Sequence, residues 1–183
     1  LHYPEMSENN TKGLTFTSEP LPKALALAGA PVVSLNLTST SGNPQIYVYL
    51  EKVTADGRSH FVTDGVMLAS WRKLIDPPFE SFGWPHADGS VAALQSTPPL
   101  NAGVDTMKFR LVPAGMVFEK GSRIRVLITG ADADNFYQEE LAPAPDITIH
   151  TGKVQGSKIS LPLVKSLDRL NIQDFVKFDA DQW

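Results

Sequence analysis

The chain has 183 residues, a net charge of −4 and no cysteine, which excludes disulfide bonds, thiolate catalysis and cysteine-based zinc sites. No lysine- or arginine-rich run is present, so the charge pattern of nucleic-acid-binding and membrane-surface proteins is absent, and no apolar run approaches the ~20 residues of a membrane span. The 14 prolines and 13 glycines are scattered as turn signals, a pattern typical of many short strands.

The first part of the chain predicts an arm followed by alternating strands. Residues 1–13 are polar and without periodicity, and we predict an extended arm or linker there. After the short alternating segment Leu14–Thr17, apolar residues recur at every second position in Val33–Thr38 and Ile46–Glu51. This period of two is typical of half-buried antiparallel strands. Because the sequence begins at Leu1 and not at methionine, we expect a fragment or a processed product, and we assign no compartment.

Two glycines divide the next segment. Asp56-Gly57 and Asp64-Gly65 are dipeptides typical of tight turns, in which the glycine adopts a positive φ. We therefore predict a hairpin at Gly57, a second turn at Gly65, and a separate strand over Val66–Arg72.

The regular pattern stops between Lys73 and Asp105, where five prolines and several aromatic residues occur. A loop of this length is usually functional or packed by its own side chains. The aromatic residues have three interpretations: burial under the loop, a surface that docks onto another domain, or a platform that stacks sugars. The candidate docking residues are Trp71, Arg72, Phe79, Phe82 and Trp84.

Alternation returns in the second half of the chain. Further strands are predicted at Met107–Leu111, Ile124–Ile128, Ile147–Ile149 and Ile159–Leu161. With the earlier segments they make about nine strands and no helix before residue 165, which predicts an all-β jelly-roll sandwich of the galactose-binding-domain-like type over residues 14–164. The tail, residues 165–183, has a loose helical pattern that allows one short helix.

No complete catalytic set is present. The G-x-S-x-G turn of a serine hydrolase is missing. Ser70 and Lys73 match S-x-x-K, but on the predicted strand their side chains point to opposite faces. No histidine pair has zinc-binding spacing, and His86 near Asp88 is better explained by a turn at Asp88-Gly89. The sequence predicts no catalytic residue, no cofactor and no assigned metal ligand.

The sequence leaves open whether one acidic loop binds a metal ion. Asp132 and Asp134 alternate with other residues in Asp132-Ala133-Asp134-Asn135. Calcium takes six to eight oxygen ligands in proteins, so this loop is a candidate for a structural calcium site. The alternative interpretation is the polar tip of a hairpin.

The order of several short motifs carries a resemblance. The motifs are Leu14–Leu21 (L-x-F-x-S-x-P-L), Val62–Arg72, Phe118–Arg125 (F-x-x-G-x-R-I-R), Thr129–Asp132 with Asn135-Phe136, and Ser157–Val164. Over about residues 14 to 164 the chain resembles the C-terminal domain of the X-Pro dipeptidyl-peptidase and cocaine esterase (CocE/NonD) family of serine hydrolases. That family also includes α-amino-acid ester hydrolases and glutaryl acylases.

The resemblance implies a non-catalytic role. In that family the catalytic Ser, Asp and His belong to a separate, N-terminal α/β-hydrolase domain, so no catalytic residue transfers to this chain. The expected partner is that domain of the same parent chain, whose substrate would be an X-Pro peptide, an ester or an acyl amide; a homo-oligomer is also compatible. The alternatives are a carbohydrate-binding module of the galactose-binding type and a plain structural or interaction domain.

Overall fold

The computed structural model describes residues 5–100, 103–136, 143–152 and 156–164. Within them the chain forms thirteen strands, one short α-helix and two 3-10 helices. The strands are β1 (Leu14–Thr17), β2 (Leu25–Gly29), β3 (Val32–Ser39), β4 (Gln45–Val53), β5 (Ser59–Leu68), β6 (Leu74–Ile75), β7 (His86–Ala87), β8 (Asp105–Arg110), β9 (Ala114–Phe118), β10 (Arg123–Thr129), β11 (Ile147–Ile149), β12 (Lys158–Ser160) and β13 (Leu163–Val164). The helix α1 spans Val91–Ser96, and the 3-10 helices span Asn9–Lys12 and Ala69–Trp71.

Antiparallel pairing arranges the strands into sheets. One sheet has the order β1-β10-β4-β5. In a second sheet β8 pairs along one edge of β3, and β11 and β12 pair along the other. A third sheet has the order β13-β2-β9, and β6 pairs with β7 as a small hairpin.

The main core is shared by the three larger sheets. Leu50 of β4, Leu35 of β3 and Leu27 of β2 belong to one buried apolar cluster, and each is 3% exposed or less. Along β3 the buried residues alternate strictly with half-exposed ones, as the period of two predicted. The sheets therefore pack face to face, and the all-β sandwich prediction is confirmed.

Gly65 does not turn the chain, contrary to the sequence-based expectation. The strand β5 runs without interruption through Gly65, which lies opposite Val48 of β4. A Cβ atom at this position would lie 2.8 Å from Leu111 Cδ2 and 3.0 Å from the Arg110 carbonyl oxygen. Gly65 is therefore required for close approach of a neighbouring segment, whereas Gly57 has a φ of 91° and forms the predicted turn.

The long segment after β5 is more regular than predicted. The strand ends at Leu68, and Ala69–Trp71 forms a 3-10 helix, so the predicted strand over Val66–Arg72 is wrong beyond Leu68. The helix α1 also corrects the expectation of no helix before residue 165. Its N-cap is Ser90, whose side chain accepts a hydrogen bond from the Ala93 amide at 3.2 Å, an arrangement typical of helix starts.

The strand count also exceeds the prediction of about nine. Three of the thirteen strands in the described residues, β6, β7 and β13, contain only two residues each. Two residues cannot display a period of two, so tertiary contacts, not local pattern, create these pairs. The tail, residues 165–183, lies outside the described residues, as does its predicted helix.

The segment ahead of β1 packs against the sandwich. We call Glu5–Lys12 the arm. Met6 is fully buried against Tyr47 and Tyr49 of β4 and Leu127 of β10. The arm therefore covers part of the outer face of the β1-β10-β4-β5 sheet. None of the helices in the described part of the chain is long and apolar enough to cross a membrane.

Candidate functional site

The loop that joins β5 to β8 presents aromatic side chains on a folded scaffold. Leu74 pairs with Ala87 in the β6–β7 hairpin, and the Asp88 amide donates to the Lys73 carbonyl at 2.7 Å. Gly89 packs closely on the Trp71 ring. These contacts give the loop a defined shape, so the side chains that it carries are held in place.

Three of the predicted docking residues are exposed on this loop. Trp71 is 42% exposed, Phe79 61% and Phe82 74%. The Phe79 ring meets the His86 ring edge to face with centroids 5.2 Å apart, so neighbouring aromatic rings support one another. We call the exposed face of residues 66–91 the aromatic surface.

Trp84 lies behind this surface and joins it to the sandwich. Its ring centroid is 5.7 Å from that of Phe82. On the other side, the Arg110 guanidinium of β8 lies 5.0 Å from the Trp84 ring centroid, within the range of a cation–π interaction. Trp84 is half-buried, so it fixes the loop to β8 and contributes less exposed area than Phe79 or Phe82.

Exposed apolar side chains are concentrated here. Among the described residues, thirteen large apolar residues are exposed, and seven of them lie between Val66 and Val91. Single exposed apolar residues are ordinary, but contiguous groups mark interaction surfaces. Phe82 adds a second indication, because it has a φ of 52°. A positive φ is costly for a bulky residue, and here it directs a ring toward solvent.

Arg72 has a different environment from the other predicted docking residues. Its side chain is only 5% exposed. Its guanidinium donates to Asp105 Oδ2 at 2.7 Å, to the Ala69 carbonyl at 2.9 Å and to the Pro98 carbonyl at 2.6 Å. Arg72 therefore fastens the 3-10 helix to β8 and to the segment after α1, beneath the aromatic surface.

A buried carboxyl group on β4 was not predicted from the sequence. Glu51 is fully buried, and its Oε2 accepts hydrogen bonds from Asn10 Nδ2 at 2.9 Å and from the Ser59 hydroxyl. Burial raises the pKa of Glu51, against the opposing effects of those two hydrogen bonds and of Arg125. Alternation places Glu51 on the face opposite Leu50, so the local pattern indicates a side chain that faces solvent. Nothing in the local sequence indicated that the arm covers Glu51.

The Asp132 loop forms a closed polar cluster. Asp132 accepts hydrogen bonds from the Asn135 amide and side chain and from the Tyr49 hydroxyl. Burial raises the pKa of Asp64, and the nearby Asp132 carboxylate raises it further. Asp134 is exposed. Within the described residues no group of three His, Cys, Asp or Glu could hold a metal ion. The hairpin-tip interpretation is wrong, because the strands that flank this loop, β10 and β11, belong to different sheets.

The other sequence candidates do not form a catalytic set. Ser70 lies in the 3-10 helix and not on a strand, so the alternation argument does not apply to it; its amide donates to Asn43 Oδ1 at 2.7 Å. Asp88 accepts from the Ser90 amide at 3.0 Å, as expected for a turn. No serine hydroxyl is hydrogen-bonded to a histidine ring among the residues that the structure describes.

Comparison with known protein families gives one domain match. Residues 2–158 match the model of the X-Pro dipeptidyl-peptidase C-terminal non-catalytic domain. The chain is also similar to two proteins provisionally named serine esterases, from Mycobacterium bovis and Mycobacterium tuberculosis. Each is 33% identical over 177 residues, which are 89% of this chain and 26% of the relative. The chain thus spans about a quarter of the length of these curated relatives.

Solved structures share the fold. A CocE/NonD family hydrolase from Staphylococcus aureus superposes with a TM-score of 0.65 at 19% identity, over 86% of this chain and 31% of that one. An α-amino acid ester hydrolase gives 0.60 at 23% identity, over 84% and 26%. An aminopeptidase from a marine sediment Thaumarchaeota archaeon gives 0.65 at 15% identity, over 87% and 27%. At these identities the likeness establishes the fold alone.

Proposed function

Because the chain belongs to the family of X-Pro dipeptidyl-peptidase C-terminal non-catalytic domains, we propose that it is the accessory β-sandwich of a larger serine hydrolase. Two observations support this proposal. The matched relatives are about four times longer than the matched region, and the described residues contain no serine–histidine pair. The parent reaction would be acyl transfer to water through a serine nucleophile on another domain, with an X-Pro peptide, an ester or an acyl amide as substrate.

The aromatic surface is the part of the chain that we assign to contact with the catalytic α/β-hydrolase domain. Phe79 and Phe82 are more than half exposed on a loop that is itself well supported. Trp71 is exposed as well and packs against Gly89 of the same loop. Aromatic side chains at the centre of an interface carry much of the binding energy, and a rigid loop loses little entropy when it binds.

The isolated chain tests the accessory role directly. We expect the 183-residue chain to hydrolyse neither p-nitrophenyl esters nor X-Pro anilides, because the described residues present no activated nucleophile. Release of p-nitrophenol or nitroaniline, followed by absorbance, measures this. Turnover that remains constant in specific activity through a second purification would contradict the proposal.

Paired substitutions test the docking surface. We expect the double variant Phe79→Ser, Phe82→Ser to keep the fold and to bind the separately expressed catalytic part of the parent polypeptide about tenfold or more weakly. The control is Leu14→Ser, Phe16→Ser, which removes two other exposed apolar residues, 48% and 42% exposed, from the opposite edge strand β1. Calorimetric titration measures both. Unchanged binding in the loop variant, or loss in the control alone, would refute the assignment.

The carbohydrate-binding alternative receives no support from the comparisons, which match hydrolases and a non-catalytic domain of peptidases. One open pocket of about 260 Å³ lies at the rim of the sandwich near Asn43, Ser70 and Thr97. The Asn43 side-chain oxygen already accepts the Ser70 amide. One polar atom of this pocket is therefore already engaged within the protein.

A further inference from the structure

A buried acidic group lies where the arm meets the sandwich. The Glu51 carboxyl on β4 has no exposed area, and its Oε1 has no hydrogen-bond partner. Its Oε2 accepts from Asn10 of the arm and from Ser59 of β5. Asn10 Oδ1 is buried and unpartnered as well. The carboxyl is thus enclosed between a fixed sheet and a segment outside that sheet.

The arm is held by few contacts, and they converge on the same place. The Met6 amide donates to the Ser59 carbonyl at 2.8 Å, whereas the hydrogen bond of 2.9 Å from the Asn10 amide to the Met6 carbonyl lies within the arm. Glu5 Oε1 accepts from the Ser59 amide at 2.6 Å. The strand β4 pairs with β10 without interruption, and it pairs with β5 on both sides of an irregularity between Leu50 and Glu51. The arm is therefore the element that can move if the site is disturbed.

Charged side chains on the neighbouring strand and on the arm lie near Glu51. Arg125 of β10 lies opposite Glu51 in the register. Glu5 faces it from the arm, and His60 of β5 lies beside Glu5. Glu8 and Lys12 pair with each other at 3.7 Å on the exposed side of the arm. One cation and one anion therefore act on the buried carboxyl from nearby.

We propose that Glu51 is a proton-dependent latch, which holds the arm on the sheet while its carboxyl is neutral and releases the arm when the carboxyl ionises. An ionised carboxylate with an unpartnered oxygen is strongly unfavourable away from water. Opening of the arm removes Asn10 from Glu51 and admits solvent. Ionisation and opening are therefore coupled.

The sign of the pH effect follows from this coupling. Burial raises the pKa of Glu51 in the closed form, whereas the open form has a hydrated carboxyl. Closure is fully favoured below the pKa of the open form and is lost as pH rises through the pKa of the closed form. Between those two pKa values each pH unit reduces the closed-to-open ratio by up to about tenfold, and above the pKa of the closed form the ratio becomes constant.

Hydrogen exchange of the 183-residue chain, read at the Met6 amide between pH 5 and 9, tests the latch. We expect a protection factor that falls with rising pH by up to about tenfold per unit and then levels off, while amides of the β4–β10 ladder stay protected. In Glu51→Gln, which cannot ionise, the protection should be independent of pH. The same pH slope in Glu51→Gln would overturn the proposal.

Two further measurements distinguish the latch from a general loss of stability caused by the substitution of Glu51. Glu8→Gln is the control, because Glu8 lies on the exposed side of the arm, where it pairs with Lys12; it should retain the pH slope. In the unsubstituted chain, carbon NMR of the Glu51 carboxyl should show a titration midpoint above the ordinary range for glutamate. That midpoint should coincide with the pH midpoint of arm opening. If Glu51→Gln opens the arm at every pH, the unsubstituted chain decides the question. Equal midpoints for carboxyl titration and for arm opening support the latch, and different midpoints overturn it.

Discussion

Substitution of Arg72 by alanine should destabilise the chain by about 3 kcal/mol, because it removes three hydrogen bonds at once. The buried guanidinium is bonded to Asp105 and to the carbonyls of Ala69 and Pro98. Without it the Pro98 carbonyl loses this donor and the Ala69 carbonyl keeps only the Arg72 amide, and each lost hydrogen bond has a cost. Urea unfolding followed by tryptophan fluorescence measures the change.

Two companion variants separate the hydrogen bonds from the ion pair. Asp105 is 49% exposed, so Asp105→Asn should cost less than about 1 kcal/mol. Arg72→Lys should recover only part of the loss, since one ammonium group cannot reproduce the planar fork of donors. Equal losses in Asp105→Asn and Arg72→Ala would show that the ion pair, and not the carbonyl contacts, carries the stability.

Substitution of Met6 by alanine is expected to cost about 3 kcal/mol, although Met6 belongs to a segment that the sequence predicts as an arm or linker. Its side chain is fully buried among Tyr47, Tyr49 and Leu127, and removal of a buried methionine leaves a cavity. Met6→Leu, with similar volume, should lose less than about 1.5 kcal/mol. A loss below ~1 kcal/mol in Met6→Ala would mean that the arm is dispensable for the fold.

Sequence periodicity predicted one buried face in β3 and in β4, on which Leu35 and Leu50 lie. The other face of β4 is buried too, because the arm covers it, and alternation does not reveal this. Gly65 was misassigned because a turn glycine and a close-approach glycine have the same local pattern. Only the position of Leu111, 46 residues later in the chain, distinguishes them, and that is a tertiary contact.

The difference between a local pattern and a tertiary contact also explains which site residues could be predicted. Phe79 and Phe82 were suggested by an aromatic-rich loop without periodicity, since composition alone signals such a segment. Burial of Arg72 depends on partners at Pro98 and Asp105, which no local pattern connects. Glu51 likewise alternates as an outward residue and becomes buried only because the arm folds over it.

The strand β5 also sets the distance between the arm and the start of the aromatic surface. The arm meets β5 near its first residues, where Glu5 bridges to His60, and Trp71 lies three residues beyond its last residue, Leu68. Ten residues of extended strand cover roughly 33 Å. A domain that is tethered ahead of Glu5 and also rests on the aromatic rings must therefore bridge about that distance, comparable with the diameter of a small domain. Tether and contact at opposite ends would restrict rotation between the two bodies.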